Sequence, residues 1–251
     1  MSAGATDVDP VLARMLAHRS IRTFAPEPIP DAAIERAVRA AQSAATSHLV
    51  QSYALLRIRS AATRTALATI AGGQPHVATA GAFFVVLGDQ HRHRQILAAR
   101  GLAYAANLET FLLAAIDAAL FAQNLALAFE ALGYGICYVG GLRNDLGAVD
   151  TLLGTPPGAL PLFGLCVGVP AEDPVPIPRL PLEAVLFEER YPEDAALEHA
   201  IAQYDAQMGR WHAEQRGKSG RDWSGQIVRL FSAPQRSAIG DFYRAKGAVL
   251  R

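Results

Sequence analysis

The densest group of residues that could bind an anion lies near the N-terminus. His18, Arg19, Ser20 and Arg22 bring three potentially cationic side chains and one hydroxyl into five consecutive positions. One interpretation is a phosphate clamp, because the planar fork of arginine matches phosphate oxygens. The other is the end of a helix, whose dipole attracts cations that remain in solvent. The composition of the segment alone favours the second interpretation.

Two glycine pairs could serve a ligand in a different way. Gly72-Gly73 precedes Gln74, and Gly140-Gly141 follows a short apolar run. Such pairs can simply end a helix or form a tight turn. They can also let the backbone approach a flat ligand closely, with N–H groups free to bond it. The sequence leaves both interpretations open.

Familiar catalytic motifs are incomplete in this chain. Gly217-Lys218-Ser219 ends like a nucleotide-binding P-loop, but His212 stands where the pattern needs its first glycine. A dinucleotide fingerprint beginning at Gly133 fails because Tyr138 stands where the third glycine belongs. No Gly-x-Ser-x-Gly elbow is present, so an esterase would lack its nucleophile.

A metal site is not expected from the histidines and cysteines. His91 and His93 are close in sequence, but Cys137 and Cys166 lie far away and no His-Glu-x-x-His helix is present. The two histidines are therefore expected in a solvated loop. Each cysteine lies in an apolar run, which predicts buried free thiols in a reducing cytoplasm rather than a disulfide-stapled secreted domain.

The composition excludes several classes of protein. The 251 residues include 23 Lys+Arg and 23 Asp+Glu, so the formal net charge is zero. A general nucleic-acid binder would carry a basic excess, and no nucleic acid is expected as a partner. With 51% hydrophobic and 18% charged residues, the chain can bury a sizeable core, which excludes extensive disorder.

A cytoplasmic protein without membrane spans is expected. The N-terminal segment carries Asp7 and Asp9 instead of a positive region followed by an apolar one. The segment 111–132 is long enough to cross a membrane, but it contains polar residues, among them Asp117 and Glu130. It is predicted to be a central helix, apolar on nearly every face and buried in a core.

The hydrophobic periodicity predicts more helices than strands. Apolar residues recur at helical spacing after Asp31, and glycine or proline ends most segments. One predicted helix opens at Asp31 and includes residues 34–41. The other predicted helices are 10–16, 61–70, 111–132, 142–153, 197–215, 224–231 and 237–246. The predicted strands are 53–58, 83–87, 136–139 and 162–169. Because no regular β-α-β alternation is present, the fold class is predicted as α+β.

Several separated motifs, in order along the chain, resemble those of the nitroreductase superfamily. They are the runs 18–24, 72–77, 138–144, 160–166, 178–181 and 216–223. The resemblance covers residues 10–251 and is closest to the NADPH-dependent branch, the oxygen-insensitive major nitroreductases and related flavin reductases. It implies a central, mostly antiparallel sheet flanked by helices, and an intertwined homodimer with FMN in a cleft at the interface. Residues 1–195 would form the FMN-binding core, and 196–251 a helical C-terminal extension of the same domain with the NADPH-binding loop.

The resemblance also assigns cofactor-binding roles to residues. His18, Arg19, Ser20 and Arg22 would hold the ribityl phosphate, with Arg179 returning to the same region. Thr46, Ser47 and Gln51 would line the flavin edge, and Gln74 would bond the ribityl chain or the pyrimidine side. Val139, Gly140 and Gly141 would place backbone groups near the flavin N5, and Tyr138 belongs to the same motif. Arg216 and Arg221 would lie in the NADPH loop.

Two positions depart from the family pattern. Ile177 stands where the family often has a lysine two residues before the arginine of Pro-Arg-Leu-Pro. The segment 45–48, Ala-Thr-Ser-His, replaces a segment that is often rich in serine.

The implied activity is ping-pong hydride transfer from NADPH to the flavin N5 and then to a nitroaromatic, quinone or flavin acceptor. The protein would supply orientation and electrostatics, and solvent can supply protons, so no catalytic residue is named. A dedicated flavin or chromate reductase is an alternative. So is a flavin-binding protein without turnover, which the absence of the lysine makes conceivable.

Overall fold

A computed structural model of the chain describes residues 9–250 and is built around one sheet. Within these residues the strands are β1 (Tyr53–Arg57), β2 (Ala82–Asp89), β3 (Gly135–Val139) and β4 (Ala159–Gly168). Their order is β1-β2-β4-β3 and every neighbouring pair is antiparallel, so β1 and β3 are the two edge strands. The expected antiparallel sheet is confirmed. The expectation of no targeting segment falls largely on residues 1–8, which lie outside the described residues.

Helices flank this sheet and form a C-terminal region. Within the described residues they are α1 (Pro10–Leu16), α2 (Asp31–Ala41), α3 (Ala61–Ile70), α4 (Pro75–Thr79), α5 (His91–Ala98), α6 (Leu108–Ala131), α7 (Leu146–Leu153), α8 (Asp194–Arg216), α9 (Trp223–Phe231) and α10 (Ile239–Ala245). Short 3₁₀ turns lie at Ser47–Leu49, Gly140–Asn144 and Leu182–Ala184.

The central strand β2 separates two apolar layers. All of its residues are buried, and side chains alternate between the two faces of the sheet. Phe84 and Val86 belong to the core shared with α2 and α6. Phe83 and Val85 belong to the core shared with α3, α4 and α7. The sheet is therefore covered by helices on both faces, as the resemblance implied.

Within the single chain, the long helix α6 is buried on one face and exposed on the other. Asp117 and Phe129 lie on the buried face, whereas Leu112, Ile116 and Leu120 remain 42–53% exposed. By length and composition, α6 is the one helix among the described residues that could cross a membrane, and 39% of its most apolar window is buried. A helix in the core of a soluble protein meets the same criterion.

The chain forms two compact units. The first comprises Met1–Pro174 with Ala238–Arg251, and the second comprises Val175–Ser237. Within the second unit, Tyr204 of α8 donates a hydrogen bond to the Pro178 carbonyl at 2.8 Å. The expected division after residue 195, into a core and an extension of the same domain, stays a prediction.

Two local expectations are wrong. The predicted helix 142–153 is split, because the Asp145 carboxylate accepts the N–H of Ala148 at 2.9 Å and starts a new helix, α7. His91 and His93 lie in α5 rather than in a loop, and the Nε2 of His93 is 2.7 Å from the Val50 carbonyl oxygen. The polar sequence of α5 lacks the apolar stripe by which a helix is recognised.

Candidate functional site

The segment 18–25, called here the anchor segment, continues the sheet beyond β3. Ser20 forms a parallel bridge with Ile136, and the N–H of Ile21 donates to the Ile136 carbonyl at 2.9 Å. Further along, the N–H of Ala25 donates to the Val169 carbonyl at 2.9 Å. Backbone pairing on both sides therefore fixes the segment that carries the predicted phosphate-binding residues.

The two arginines of the anchor segment differ in their partners. Arg19 forms an ion pair with Asp173 and donates a hydrogen bond to the Ala17 carbonyl at 2.9 Å. The Arg22 side chain is exposed, and its guanidinium has no hydrogen bond or ion pair among the residues that the structure describes. Arg22 is therefore the arginine of this segment that is available to an anion.

Arg22 lies beside a buried group of titratable side chains. The Nε2 of His76 is 3.9 Å from the Cys137 Sγ, and both residues are buried. Burial, followed by the charge of Arg22, lowers the pKa of His76, whereas burial raises the pKa of Cys137. Both cysteines are free thiols, as predicted. Because His76 is neutral, Arg22 carries the positive charge next to this buried group.

His18, the first residue of the anchor segment, has an acidic partner. Its Nδ1 lies 2.6 Å from the Glu130 carboxylate on α6. This pair and the Arg19–Asp173 pair hold two of the three predicted cationic side chains in contacts within the chain.

The glycine pair after β3 lies against the segment that carries Gln74. The Gln74 amide donates to the Ala71 carbonyl at 2.8 Å. A Cβ placed on Gly141 would stand 2.5 Å from the Ala71 carbonyl oxygen and 2.9 Å from the Gln74 Nε2. Gly141 therefore lacks a side chain because the chain itself packs there, and Gln74 and Gly141 share one cradle.

Tyr138 and Val139 are held mainly by the protein interior. The Tyr138 hydroxyl donates to the Ala122 carbonyl of α6 at 2.7 Å, its ring packs edge-on against Phe163, and burial raises its pKa. Val139 is fully buried. Only the backbone at this position, followed by the half-buried Gly140, is available to a ligand.

Thr46, Ser47 and Gln51 lie in a strained loop before β1. His48, Leu49 and Gln51 have φ values of 47°, 58° and 47°, which non-glycine residues rarely adopt. The buried hydroxyl of Thr46 has no hydrogen-bond partner among the described residues.

The buried Asp117 carboxylate of α6 anchors this loop. It accepts the N–H groups of Ser47 at 3.3 Å and of Ser52 at 3.0 Å. Arg92 of α5 also contributes by donating to the Gln51 carbonyl at 3.1 Å. A pocket lies beside the loop, lined by His48, Leu49, Val50, Gln51, Arg92, His93 and Ile96.

The anchor segment and the strained loop lie at opposite corners of the sheet. The loop leads into the edge strand β1, whose first residue, Tyr53, is opposite Gly88 near the end of β2. The anchor segment adjoins the other edge strand, β3, whose first residue pairs with Gly168 at the end of β4. Three strand spacings of about 4.8 Å separate the two edges. A single chain therefore does not bring these two sets of predicted residues together.

The remaining predicted residues belong to the second unit. Arg179 donates a hydrogen bond to the Ile177 carbonyl at 2.9 Å. Arg216 stacks over the ring of Trp211 at 5.2 Å, just before α8 ends at Gly217. Burial, followed by the charges of Arg216, Arg221 and Lys218, lowers the pKa of His212.

Three acidic residues that support the site were not found from the sequence. Asp117, Glu130 and Glu172 contact residues 65 or more positions away in the chain, through bonds to Ser52, His18 and Arg22. No local motif marks such partners. The polar position of Asp117 inside an otherwise apolar helix was the one signal that could have revealed a buried role.

No group of three or more His, Cys, Asp or Glu side chains is placed to hold a metal ion within residues 9–250. The edge of the sheet at β3 instead offers the exposed guanidinium of Arg22 and the backbone of a glycine pair, and the opposite corner offers the Thr46 hydroxyl, which has no partner among the described residues. These groups suit a phosphorylated, flat ligand better than a cation.

Comparison with known proteins gives matches along most of the chain. The sequence model of the Nitroreductase family matches residues 15–169, and that of the Nitroreductase family, C-terminal domain, matches residues 178–251. An oxygen-insensitive NADPH nitroreductase of Salmonella typhimurium is 39% identical over 246 residues, which cover 97% of this chain and 100% of the relative. An FMN reductase (NADPH) of Bacillus subtilis is 38% identical over 238 residues, covering 93% and 96%. The structure of an NADPH:FMN oxidoreductase from Vibrio harveyi, in complex with NAD+, has a TM-score of 0.89 at 33% identity, covering 97% and 100%.

Proposed function

The chain belongs to the nitroreductase family, and on that premise we propose that it carries out ping-pong transfer of hydride from NADPH to small-molecule acceptors. It is an NADPH-dependent oxidoreductase that uses FMN. Bound FMN would supply the redox chemistry, accepting hydride at N5 and returning two electrons to the acceptor. The protein would bind the cofactor and the substrates, orient them and exclude water from the site.

One observation supports this proposal above the others. The exposed guanidinium of Arg22, without a partner among the described residues, lies at the same sheet edge as the cradle of Gln74 and Gly141. Arg22 would hold the phosphate of FMN, and the residues of this cradle would contact another part of the cofactor. The backbone N–H groups at Gly140 and Gly141 are suitable donors to the pyrimidine side of the ring, where negative charge develops on reduction.

The anchor residues would share the phosphate end of FMN unequally. We infer that Arg22 and Ser20 bind the phosphate directly. His18 and Arg19 are already paired with Glu130 and Asp173, so they would have to share or exchange these partners to contact it. Tyr138 and Val139 would contribute to the flavin site through their backbone. Arg179 in the second unit remains a proposed further phosphate ligand.

The basic loop of the second unit would bind the 2′-phosphate of NADPH. Arg216 and Arg221 flank Gly217 and Gly220, and both glycines have positive φ. The 2′-phosphate is the only group that distinguishes NADPH from NADH, so local cations must provide any preference. The positive charges of Arg216, Arg221 and Lys218 all act on His212, which supports this role because a bound phosphate would neutralise part of that charge.

We infer a homodimer from the separation of the two half-sites. Thr46, Ser47 and Gln51 lie at the corner opposite the anchor segment, so one FMN can meet both sets only if a second chain supplies one of them. α6 offers an apolar stripe for such a contact, with exposed leucines and isoleucine at four-residue spacing: Leu108, Leu112, Ile116 and Leu120. Exposed apolar stripes of this kind mark protein contacts.

Mixed dimers test this arrangement. Arg22→Ala and Gln51→Ala chains, each expected to bind FMN poorly, are unfolded together and refolded as a mixture. Each mixed dimer should hold one intact site, so FMN binding returns on mixing. Light scattering should give about twice the 26.7 kDa of one chain. A monomer that retains FMN, or a mixture no better than its parents, would exclude the shared site.

The acceptor is tested by steady-state kinetics with nitroarenes, quinones and free FMN. Parallel lines in double-reciprocal plots against NADPH are expected, because the two substrates would occupy one position in turn. Intersecting lines would exclude the ping-pong order. A marked preference for free FMN or for chromate would favour a dedicated reductase, and a Cr(VI) reductase of Pseudomonas is 34% identical to this chain. We place this activity in the cytoplasm, in keeping with the two free thiols and the NADPH donor.

A further inference from the structure

The side chain of Glu172 binds the backbone of the anchor segment. Its Oε1 accepts the N–H of Arg22 at 2.5 Å and the N–H of Thr23 at 2.9 Å. The bond from the Arg22 N–H, the backbone and side chain of Thr23, and the charge of Arg22 hold the pKa of the Glu172 carboxyl below its ordinary value, so the group is a carboxylate at neutral pH. A carboxylate that accepts two adjacent N–H groups fixes the backbone direction at that point.

Glu172 acts where backbone pairing of the anchor segment is interrupted. On one side the Ile21 N–H donates to the Ile136 carbonyl at 2.9 Å. On the other side the Ala171 N–H donates to the Thr23 carbonyl at 3.0 Å. The N–H groups of Arg22 and Thr23 fall between these two ladders. Glu172 therefore supplies the bonds that neither ladder provides, at the residue whose guanidinium is free.

The neighbouring acidic residue has a different partner. Asp173 forms an ion pair with the side chain of Arg19, whereas Glu172 attracts the Arg22 charge without forming an ion pair and accepts the Arg22 backbone N–H. The two adjacent carboxylates therefore have different roles. Asp173 occupies the guanidinium of Arg19, whereas Glu172 fixes the backbone that carries the side chain of Arg22.

We propose that Glu172 is a positioning residue that orients Arg22 for a phosphate monoester, the phosphate end of FMN. This inference rests on the proposed function. Glu172 holds the backbone through two N–H groups, and its negative charge, which also attracts the Arg22 side chain, opposes the approach of a phosphate. A neutral acceptor of the same shape should therefore perform the role at least as well.

Glu172→Ala and Glu172→Gln separate the hydrogen bonds from the charge. Dissociation constants for FMN and for riboflavin, which lacks the phosphate, are measured by flavin fluorescence with the flavin-free full-length protein. Glu172→Ala should weaken FMN binding about tenfold, because it removes bonds to a charged acceptor. Riboflavin binding should stay near the wild-type value. Glu172→Gln should bind FMN as tightly as the wild type or more tightly.

Two controls make the result specific. Glu35→Gln removes the same charge from the exposed face of α2 and should change neither dissociation constant. In an Arg22→Ala background, Glu172→Ala should have no further effect on FMN binding, since there is no guanidinium left to orient.

Several outcomes would overturn the inference. Glu172→Ala could leave FMN binding unchanged, weaken FMN and riboflavin equally, or fail to fold, and the last two would assign Glu172 to the fold itself. If Glu172→Gln bound FMN as weakly as Glu172→Ala does, the charge of Glu172 rather than its hydrogen bonds would be what supports FMN binding. A wild-type protein that binds no FMN would instead overturn the proposed function, so the two failures are distinguishable.

Discussion

Gly135 on β3 packs directly against Ile21 of the anchor segment. A Cβ placed on Gly135 would stand 2.6 Å from the Ile21 Cγ1, closer than carbon atoms can approach. Because Ile21 is buried and lies between Ser20 and Arg22, this contact sets how close the proposed phosphate-binding residues come to the sheet.

Gly135→Ala should therefore displace the anchor segment. Overpacking at a buried contact costs about 1–3 kcal/mol of folding free energy, and we expect a loss of this size together with weaker FMN binding. Urea unfolding and flavin titration measure the two effects. Gly147→Ala, on the exposed face of α7, is the matched control and should be neutral or stabilising. Unchanged stability in Gly135→Ala would mean that the segment does not depend on this contact.

His76 should make the flavin-free protein less stable in mild acid. Burial lowers its pKa in the folded state, so the unfolded chain, with a histidine pKa of about 6.5, binds the proton more tightly. Stability should fall as the pH drops below about 6.5, until the folded pKa is reached. His76→Leu should flatten this part of the curve of urea midpoint against pH. Parallel curves for the two proteins would show that His76 contributes nothing to the pH dependence.

Ile177→Lys should strengthen FMN binding. Ile177 is 41% exposed, so a lysine can be accommodated at this position without repacking a core. A bond to a charged group is worth about 1.5–3 kcal/mol, and partial exposure reduces it, so we expect up to about tenfold tighter binding. Val175→Lys adds the same charge two residues earlier, at a position 51% exposed, and should have little effect. Equal tightening by both variants would indicate general electrostatic attraction, and no tightening would mean that no lysine is needed here.

Arg216→Ala and Arg221→Ala should each raise the KM for NADPH and leave NADH kinetics nearly unchanged. Each exposed contact with the 2′-phosphate is worth about 1–2 kcal/mol at low salt, which corresponds to about a tenfold effect that added salt reduces. Arg210→Ala on α8 is the control for a lost exposed arginine. If the two loop variants lose NADPH and NADH activity equally, the loop is structural and the specificity lies elsewhere.

Local sequence patterns predicted the regular elements well and the site only in part. The bounds of α1 and α3 agree with the prediction, because Asp9 and Ser60 cap apolar helical runs. The short α4 and the polar α5 were missed, since neither shows an apolar stripe. Periodicity also could not reveal that α6 leaves one face exposed, because an all-round apolar helix looks the same whether the protein or a partner covers it.

The site residues came from matching motifs, and their geometry came from contacts distant in sequence. Glu172 lies 150 residues from Arg22, and no spacing rule links the two. The opposite placement of the strained loop and the anchor segment follows from the strand order, which the sequence did not determine. Long-range pairing decides both features, and local propensity carries no information about it.

The central claim is that this chain uses NADPH to reduce bound FMN. The most direct measurement is the visible spectrum of the purified yellow protein under anaerobic conditions during titration with NADPH. We expect the flavin absorbance to disappear after one equivalent of NADPH per bound FMN, and a quinone or nitroarene to restore it. A yellow protein whose absorbance does not change on addition of NADPH would contradict the account and indicate a flavin-binding protein without turnover.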